Sequence, residues 1–217
     1  MALFLAIETA GTTCGAALFQ NEILLAEHSL YVKNVHDKVL ATVVKQLFEI
    51  TNFRLEELNA VCISAGPGSF TGLRIGYSFV KGLLFGTDVR LVEVPTLYAC
   101  AYAAKEFAII SGCESIYAII SSHKDIIYTQ KFTSNAEPLN EVRLMSVNEF
   151  SALEDVNENV VCGSGAIVMP HIGKQLSGLN RLTPRFIGKL GLHFIQGDIY
   201  SDVEKAEPLY SQDFVVK

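Results

Sequence analysis

Apolar residues open the chain in short blocks, Leu3 to Ile7, Cys14 to Phe19 and Ile23 to His28, with the last two joined tightly at Gln20-Asn21-Glu22. Blocks of this length between turn-forming residues predict three strands in an antiparallel meander. The period then changes. Apolar positions recur at helical spacing from about His36 to Thr51 and from about Thr71 to Phe85, while Val61 to Ser64 and Leu91 to Val94 read as buried strands and a further helix is expected after Pro95. Three hairpin strands followed by crossover units predict an α/β architecture with mixed sheets flanked by helices. Gly112 interrupts the helical pattern within residues 105 to 114, and Ile116 to Ile120 and Ile126 to Phe132 begin a second strand-rich half. Two lobes are therefore expected, residues 1–104 and 105–217, joined by a stretch too short and apolar to be a free linker.

The two central helices have more apolar circumference than a single core needs. Leu73, Tyr77, Val80 and Leu84 follow one another at intervals of four, three and four, the seam spacing of a helix that meets another helix. Ile75, Phe79 and Leu83 share another face with Gly72, Gly76, Gly82 and Gly86. In the first helix Val39, Leu40, Val43, Val44, Leu47 and Phe48 cover about half the circumference, where a helix on one core typically needs ~100°. Either the chain covers this surplus itself, or a separate subunit does. The candidate interface set is His36, Val39, Leu40, Val43, Leu47, Leu73, Tyr77, Val80 and Leu84.

Composition narrows the function classes. Seventeen basic and twenty-three acidic residues give a net charge of −6, which disfavours strong unaided binding to nucleic acid. Half the residues are hydrophobic and 18% charged, far from the balance of a disordered chain. The apolar stretches are too short, and too often cut by charge, to span a bilayer, and the start has no basic residue ahead of its apolar run, so neither a membrane segment nor a secretory address is expected. Cys14, Cys62, Cys100, Cys113 and Cys162 form an odd set with no C-x-x-C spacing, which suits a reducing cytoplasm.

Two segments could hold chemistry. Glu8-Thr9-Ala10-Gly11-Thr12-Thr13 sets a carboxylate at a strand end before hydroxyls and a glycine; such a turn can offer N–H groups to a phosphate while the acid holds hydrated magnesium, and it is equally how a hairpin closes. An actin-like ATPase or small-molecule kinase would pair Glu8, Thr9, Gly11 and Thr12 with Gly163-Ser164-Gly165, which has no carboxylate. The second segment, Gly66-Pro67-Gly68-Ser69-Phe70-Thr71-Gly72, leaves a strand and opens a helix that Ser69 or Thr71 can cap. Leu73-Arg74 stands where a Walker loop needs lysine and hydroxyl, and Gly72 comes one residue late for a dinucleotide fingerprint, so the run is assigned as a structural loop. His28, His36, His123, His171 and His193 show no metal-ligand spacing, and no metal or cofactor is expected. Residues 159–197 contain Lys174, Arg181, Arg185 and Lys189 and no acid, which suits an acidic partner or RNA, or a solvated face with carboxylates nearby in space.

The ungapped run Gly66-Pro67-Gly68-Ser69-Phe70-Thr71-Gly72-Leu73-Arg74-Ile75-Gly76 resembles the signature of the TsaB (YeaZ) family. The likeness extends through the opening hairpin, His36 to Leu40, Val94-Pro95-Thr96-Leu97, Gly163-Ser164-Gly165 and Ala206-Glu207-Pro208-Leu209-Tyr210. It implies two ribonuclease H-like lobes of the actin-like ATPase (ASKHA) superfamily, the second smaller or degenerate. It also implies a non-catalytic partner of the transferase TsaD and the ATPase TsaE in forming threonylcarbamoyladenosine at tRNA position 37, with tRNA met only indirectly or weakly; a homodimer through the same helices is expected when the chain is alone, because a self-complementary apolar patch tends to form a twofold dimer. Thr96 and Cys100 stand where TsaD has its H-x-x-x-H metal pair. Departures from the family pattern are Glu8 for the usual Asp, Ser121-Ser122-His123 and Ile126-Ile127-Tyr128 in place of charged residues, and Ser211-Gln212 after the closing tyrosine.

Overall fold

A computed structural model describes residues 2–209, so Tyr210, Ser211 and Gln212 lie outside the described residues. Among the described residues the first unit comprises 2–96 and 183–209, the second 97–182. In the first, β1 (Leu3–Glu8), β2 (Cys14–Gln20) and β3 (Ile23–Leu30) form the expected meander, with Asn21 at positive φ in the tight β2–β3 turn. After helix α1 (His36–Thr51) the chain enters β4 (Ala60–Gly66), α2 (Phe70–Leu84) and β5 (Arg90–Pro95). The sheet order is β3-β2-β1-β4-β5, antiparallel through the hairpins and parallel from β1 to β4 to β5. This is the ribonuclease H-like arrangement, and it follows from hairpins on one side and helical crossovers between parallel strands on the other.

Helix α3 (Thr96–Ile110) opens the way to the second unit, where β6 (Ser115–Ser121), β7 (Ile126–Thr133) and β8 (Arg143–Ser146) are again antiparallel neighbours. A five-residue helix α4 (Val147–Ser151) follows, then β9 (Val160–Cys162), parallel to β6. The order β8-β7-β6-β9 repeats the first four strands of the first unit and stops there. The second unit is thus the degenerate version of the same plan.

The last helix, α5 (Pro184–Gln196), returns to the first unit, where Gly188 lies against Phe19 and Gly191 against Cys62. The division therefore differs from the expected lobes 1–104 and 105–217: the chain leaves the first sheet at Thr96 and gives it back a helix at Thr183. Burial explains the return. The face of the sheet that carries Phe4, Phe19 and Cys62 is fully buried, and α5 supplies Phe186, Ile187 and Leu190 to cover it.

The other face carries Leu5, Ile7, Ala16, Leu18, Val61 and Ile63, which form one core with Leu40, Val43, Val44 and Leu47 of α1 and Tyr77, Val80 and Leu84 of α2. A smaller core in the second unit gathers Tyr117, Ile119, Ile127, Phe150, Val156 and Val161.

Candidate functional site

β1 delivers Glu8 to the first turn with its side chain wholly buried. Glu8 Oε1 accepts the N–H groups of Ala10 at 2.6 Å and Gly11 at 3.2 Å, which closes the turn on its own carboxyl. The Thr9 N–H donates to Ser64 Oγ at 3.2 Å and ties the turn to β4. Glu8 Oε2 and Thr9 Oγ1 are buried without a hydrogen-bond partner among the described residues. Burial disfavours the charged form and pushes Glu8 from 4.5 to about 8, against the pull of the Ala10 N–H, the nearby Ser64 hydroxyl and the Gly11 N–H. At neutral pH it is mostly a neutral acid. This arrangement does not fit a nucleotide phosphate: the amides that would receive it already serve Glu8, and a protonated carboxyl is a poor ligand for hydrated magnesium. Thr12 at the tip is exposed and Gly11 half-buried.

The glycine-rich loop is explained by what lies beneath it. A Cβ on Gly68 would collide with the Ala10 carbonyl oxygen, one on Gly72 with the Thr9 carbonyl oxygen, and one on Gly76 with Thr9 Oγ1. Three glycines at intervals of four thus let α2 lie directly on the turn that Glu8 closes. Donors are taken up in the same contact, since the Ser69 N–H donates to Ala10 O at 2.6 Å and the Gly72 N–H to Ser69 Oγ at 3.2 Å. Ser69 is the cap of α2, and Thr71 is an exposed residue in its first turn. Gly66 and Pro67 are buried at the end of β4, where the Gly66 N–H donates to Thr96 Oγ1 at 2.9 Å.

The expected interface set needs correcting. Leu40, Val43, Leu47, Leu73, Tyr77, Val80 and Leu84 are all at most 5% exposed, covered by the first unit itself. His36 is buried too, and its Nε2 hydrogen-bonds the Thr13 carbonyl at 3.1 Å, fastening the start of α1 to the hairpin. The Tyr77 hydroxyl donates to Glu93 Oε1 on β5 at 2.6 Å. Of the set only Val39 is half-buried. The outward flanks are different residues: Ile75, Phe79 and Leu83 on α2 and Val39 and Phe48 on α1 are half-buried, with Phe70 and Phe85 at the two ends of α2 exposed, Phe85 by 89%. The Arg74 guanidinium lies over the Phe70 ring at 4.0 Å.

In the second unit a side chain on Gly163 would collide with the Ile119 carbonyl oxygen of β6, and one on Gly165 would press on the Ile119 side chain, which gives the Gly163-Ser164-Gly165 turn a packing reason of its own. Thr96 and Cys100 are buried, Thr96 as acceptor for Gly66. The segment Ser121 to Asp125 is an exposed turn joining β6 to β7, closed by the Ser122 N–H on Ile126 O at 2.9 Å. Among the described residues no three His, Cys, Asp or Glu side chains are grouped to hold a metal ion, and no helix is long and apolar enough to cross a membrane. All five cysteines are free and buried, and burial pushes Cys162 up to about 12 and Cys14 to about 11.

One feature escaped the sequence reading. Asp155 accepts from the Tyr117 hydroxyl and from Lys131 Nζ, each at 2.7 Å, and those two bonds, Lys131 first, hold its carboxyl below the usual range. Arg185, from the acid-free run, is paired with Glu27 of β3 at 2.8 Å, a carboxylate nearby in space of the kind expected for a solvated face.

Comparison with known proteins gives this architecture relatives. A solved structure described as YeaZ from Pseudomonas aeruginosa superposes with a TM-score of 0.79 over 97% of this chain and all of that one, at 22% identity, a likeness of fold. The curated protein described as tRNA threonylcarbamoyladenosine biosynthesis protein TsaB from Escherichia coli (strain K12) is 27% identical over 97% of this chain and 95% of its own length. Its counterpart from Buchnera aphidicola subsp. Acyrthosiphon pisum (strain APS) is 31% identical over 61% of this chain and 58% of its own. The family model described as TsaD, tRNA N6-adenosine threonylcarbamoyltransferase, matches residues 30–170. Over nearly its whole length the chain is similar to the protein described as TsaB, and with the family match across more than half its length it belongs to the TsaD family.

Proposed function

We propose that the chain is a non-catalytic partner subunit of the cytoplasmic machinery that forms threonylcarbamoyladenosine at tRNA position 37, supporting the transferase TsaD together with the ATPase TsaE. The observation that supports this most is the closure of the Glu8 turn on itself: its amides serve Glu8 Oε1, and the glycine loop seals it from behind. What remains for function is surface. The outward flanks of α1 and α2, with Ile75, Phe79 and Leu83 half-buried and Phe85 standing out, form the docking face for TsaD, and the same face pairs two copies when TsaD is absent.

The test is co-purification of this chain with TsaD from the same organism, with masses measured for the mixture and for each protein alone. Phe79→Glu together with Leu83→Glu should abolish the complex and the homodimer while the circular dichroism of the variant stays native. Undiminished association of a folded variant sinks this docking face. ATP turnover by the isolated chain that disappears in Glu8→Ala would replace the accessory role with an enzymatic one.

A further inference from the structure

The segment after α5 runs back along the open side of β5. It is pinned at three points: the Ser201 N–H donates to Leu91 O at 2.9 Å, Lys81 Nζ to Glu204 O at 2.9 Å, and the Leu209 N–H to Ala65 O at 2.7 Å. Between this strap and β5 lies a cavity of about 440 Å³, whose lining among the described residues belongs to the first unit. That volume falls within the ~300 to 1,000 Å³ of ordinary small-ligand pockets.

Two properties of the lining define what it would accept. One wall is apolar, from Pro95, Ala206 and Leu209, and suits methylene groups rather than a fully hydrated ion. The polar groups are mostly carboxylates: Glu93, Asp202 and Glu207 against one ammonium, Lys205. Glu93 is already oriented, because the Tyr77 hydroxyl holds its Oε1 at 2.6 Å. Lys205 is engaged with Asp202 at 3.1 Å in a pair whose side chains are largely exposed, 85% for the lysine, so an incoming cation can displace it at small cost. An anion would meet three carboxylates and lose.

We propose that this cavity is a receptor for one cationic group on an apolar stem, an alkylguanidinium or alkylammonium. The methylenes lie along Pro95, Ala206 and Leu209 while the head group bridges Glu93 and Glu207. The same chemistry comes from two sources, a free diamine or an arginine or lysine side chain displayed by a polypeptide. The site is separate from the α1–α2 docking face, and it stands or falls independently of the accessory role.

The test is a titration of the isotopically labelled full chain with ethylguanidinium and n-butylammonium chloride, followed by the amide cross-peaks of Ala65, Ser201 and Glu207. Saturable shifts at millimolar concentration are expected, as suits contacts that are partly solvated. Tetramethylammonium chloride at equal ionic strength should give no saturation, because it has no N–H to donate. Glu207→Gln, at an exposed position, should weaken binding roughly two- to fivefold, Glu93→Gln by a similar factor, and Glu141→Gln in the second unit not at all. Putrescine and N-acetyl-arginine amide then identify the source, tighter binding of either one supporting the same head-group chemistry. Shifts that fail to saturate, that tetramethylammonium reproduces, or that Glu207→Gln leaves unchanged overturn the proposal.

Discussion

Replacing Glu8 by glutamine changes one proton and little else. Glutamine keeps an oxygen for the Ala10 and Gly11 N–H groups, and its amide occupies the place of Oε2, which has no partner. The consequence is in the pH dependence of stability. Unfolded, Glu8 titrates near 4.5; folded, near 8. Between those values the unfolded chain has released its proton and the folded chain has kept it, so stability falls as pH rises through the window and is flat on either side. The slope is about 1.4 kcal/mol per pH unit, and from pH 5.5 to 7.5 the loss comes to about 2.5 kcal/mol once partial titration at each end is counted.

The Gln variant lacks this loss, so its advantage over the wild type should widen by that amount across the same interval and level off above pH 8. Taking the difference between the two proteins cancels the other titrating groups, including Asp155, whose depressed value makes it lose stability in acid instead. Urea unfolding at a series of pH values, read from amide cross-peaks of β1 and β4, reports the first unit by itself; the chain has no tryptophan to serve as an optical probe. Parallel stability curves for wild type and variant would refute the reasoning, since they require Glu8 to be ionised or solvated in the folded state.

Three contrasts follow from the same coordinates. Gly72→Ala forces a methyl group against the Thr9 carbonyl and should cost roughly 1–3 kcal/mol in a thermal melt, whereas Gly82→Ala, with nothing within 4 Å, should stabilise α2 by roughly 0.5–1 kcal/mol. Val80→Glu sets a carboxylate in a core position that is 1% exposed and should lose the native circular dichroism of the first unit, while Phe79→Glu, one residue away on the outward flank, should stay folded. In the second unit, Asp155→Asn removes the acceptor whose ionised form Lys131 and Tyr117 stabilise. The wild type should lose stability as pH falls through the depressed Asp155 range, and the variant should show a flatter acid limb in the same cross-peak assay.

How much of this was legible in the sequence depended on the range of the interaction. The meander and the helix at His36–Thr51 were readable because strand and helix periods are local, and the tight turn at Asn21 is marked by its own residue type. Helix α5 was not assigned, although Phe186, Ile187, Leu190 and Phe194 recur at helical spacing behind Thr183-Pro184; what no local pattern shows is where it packs, since the partners of Gly188 and Gly191, Phe19 and Cys62, lie more than a hundred residues away in the chain. The interface set failed for a related reason. Periodicity identified Leu73, Tyr77, Val80 and Leu84 as a continuous stripe, but a stripe has no label saying whether the same chain or another covers it. The sheet residues Val61 and Ile63 lie in one core with Tyr77, Val80 and Leu84 here, which leaves Ile75, Phe79 and Leu83 half-buried at the margin of that core.

The candidate site shows the same limit more sharply, because the residues that mark it suit a ligand and a packed turn alike. A carboxylate in a turn and glycines opening a helix are features of phosphate sites, since both depend on backbone N–H groups that can be approached closely. The same two features also let one part of a chain approach another. In this protein the turn donates to its own Glu8, and α2 comes down on Thr9 and Ala10 through Gly68, Gly72 and Gly76, so the space that a ligand would need is filled by packing. A side chain at any of those glycines would lift α2 from the turn, and with α2 would move Tyr77, Val80 and Leu84 in the core and Phe79 and Leu83 on the flank. The glycine spacing is therefore what sets the position of the helix proposed to meet a partner, and the demand on those positions is geometric whether or not any ligand is ever bound.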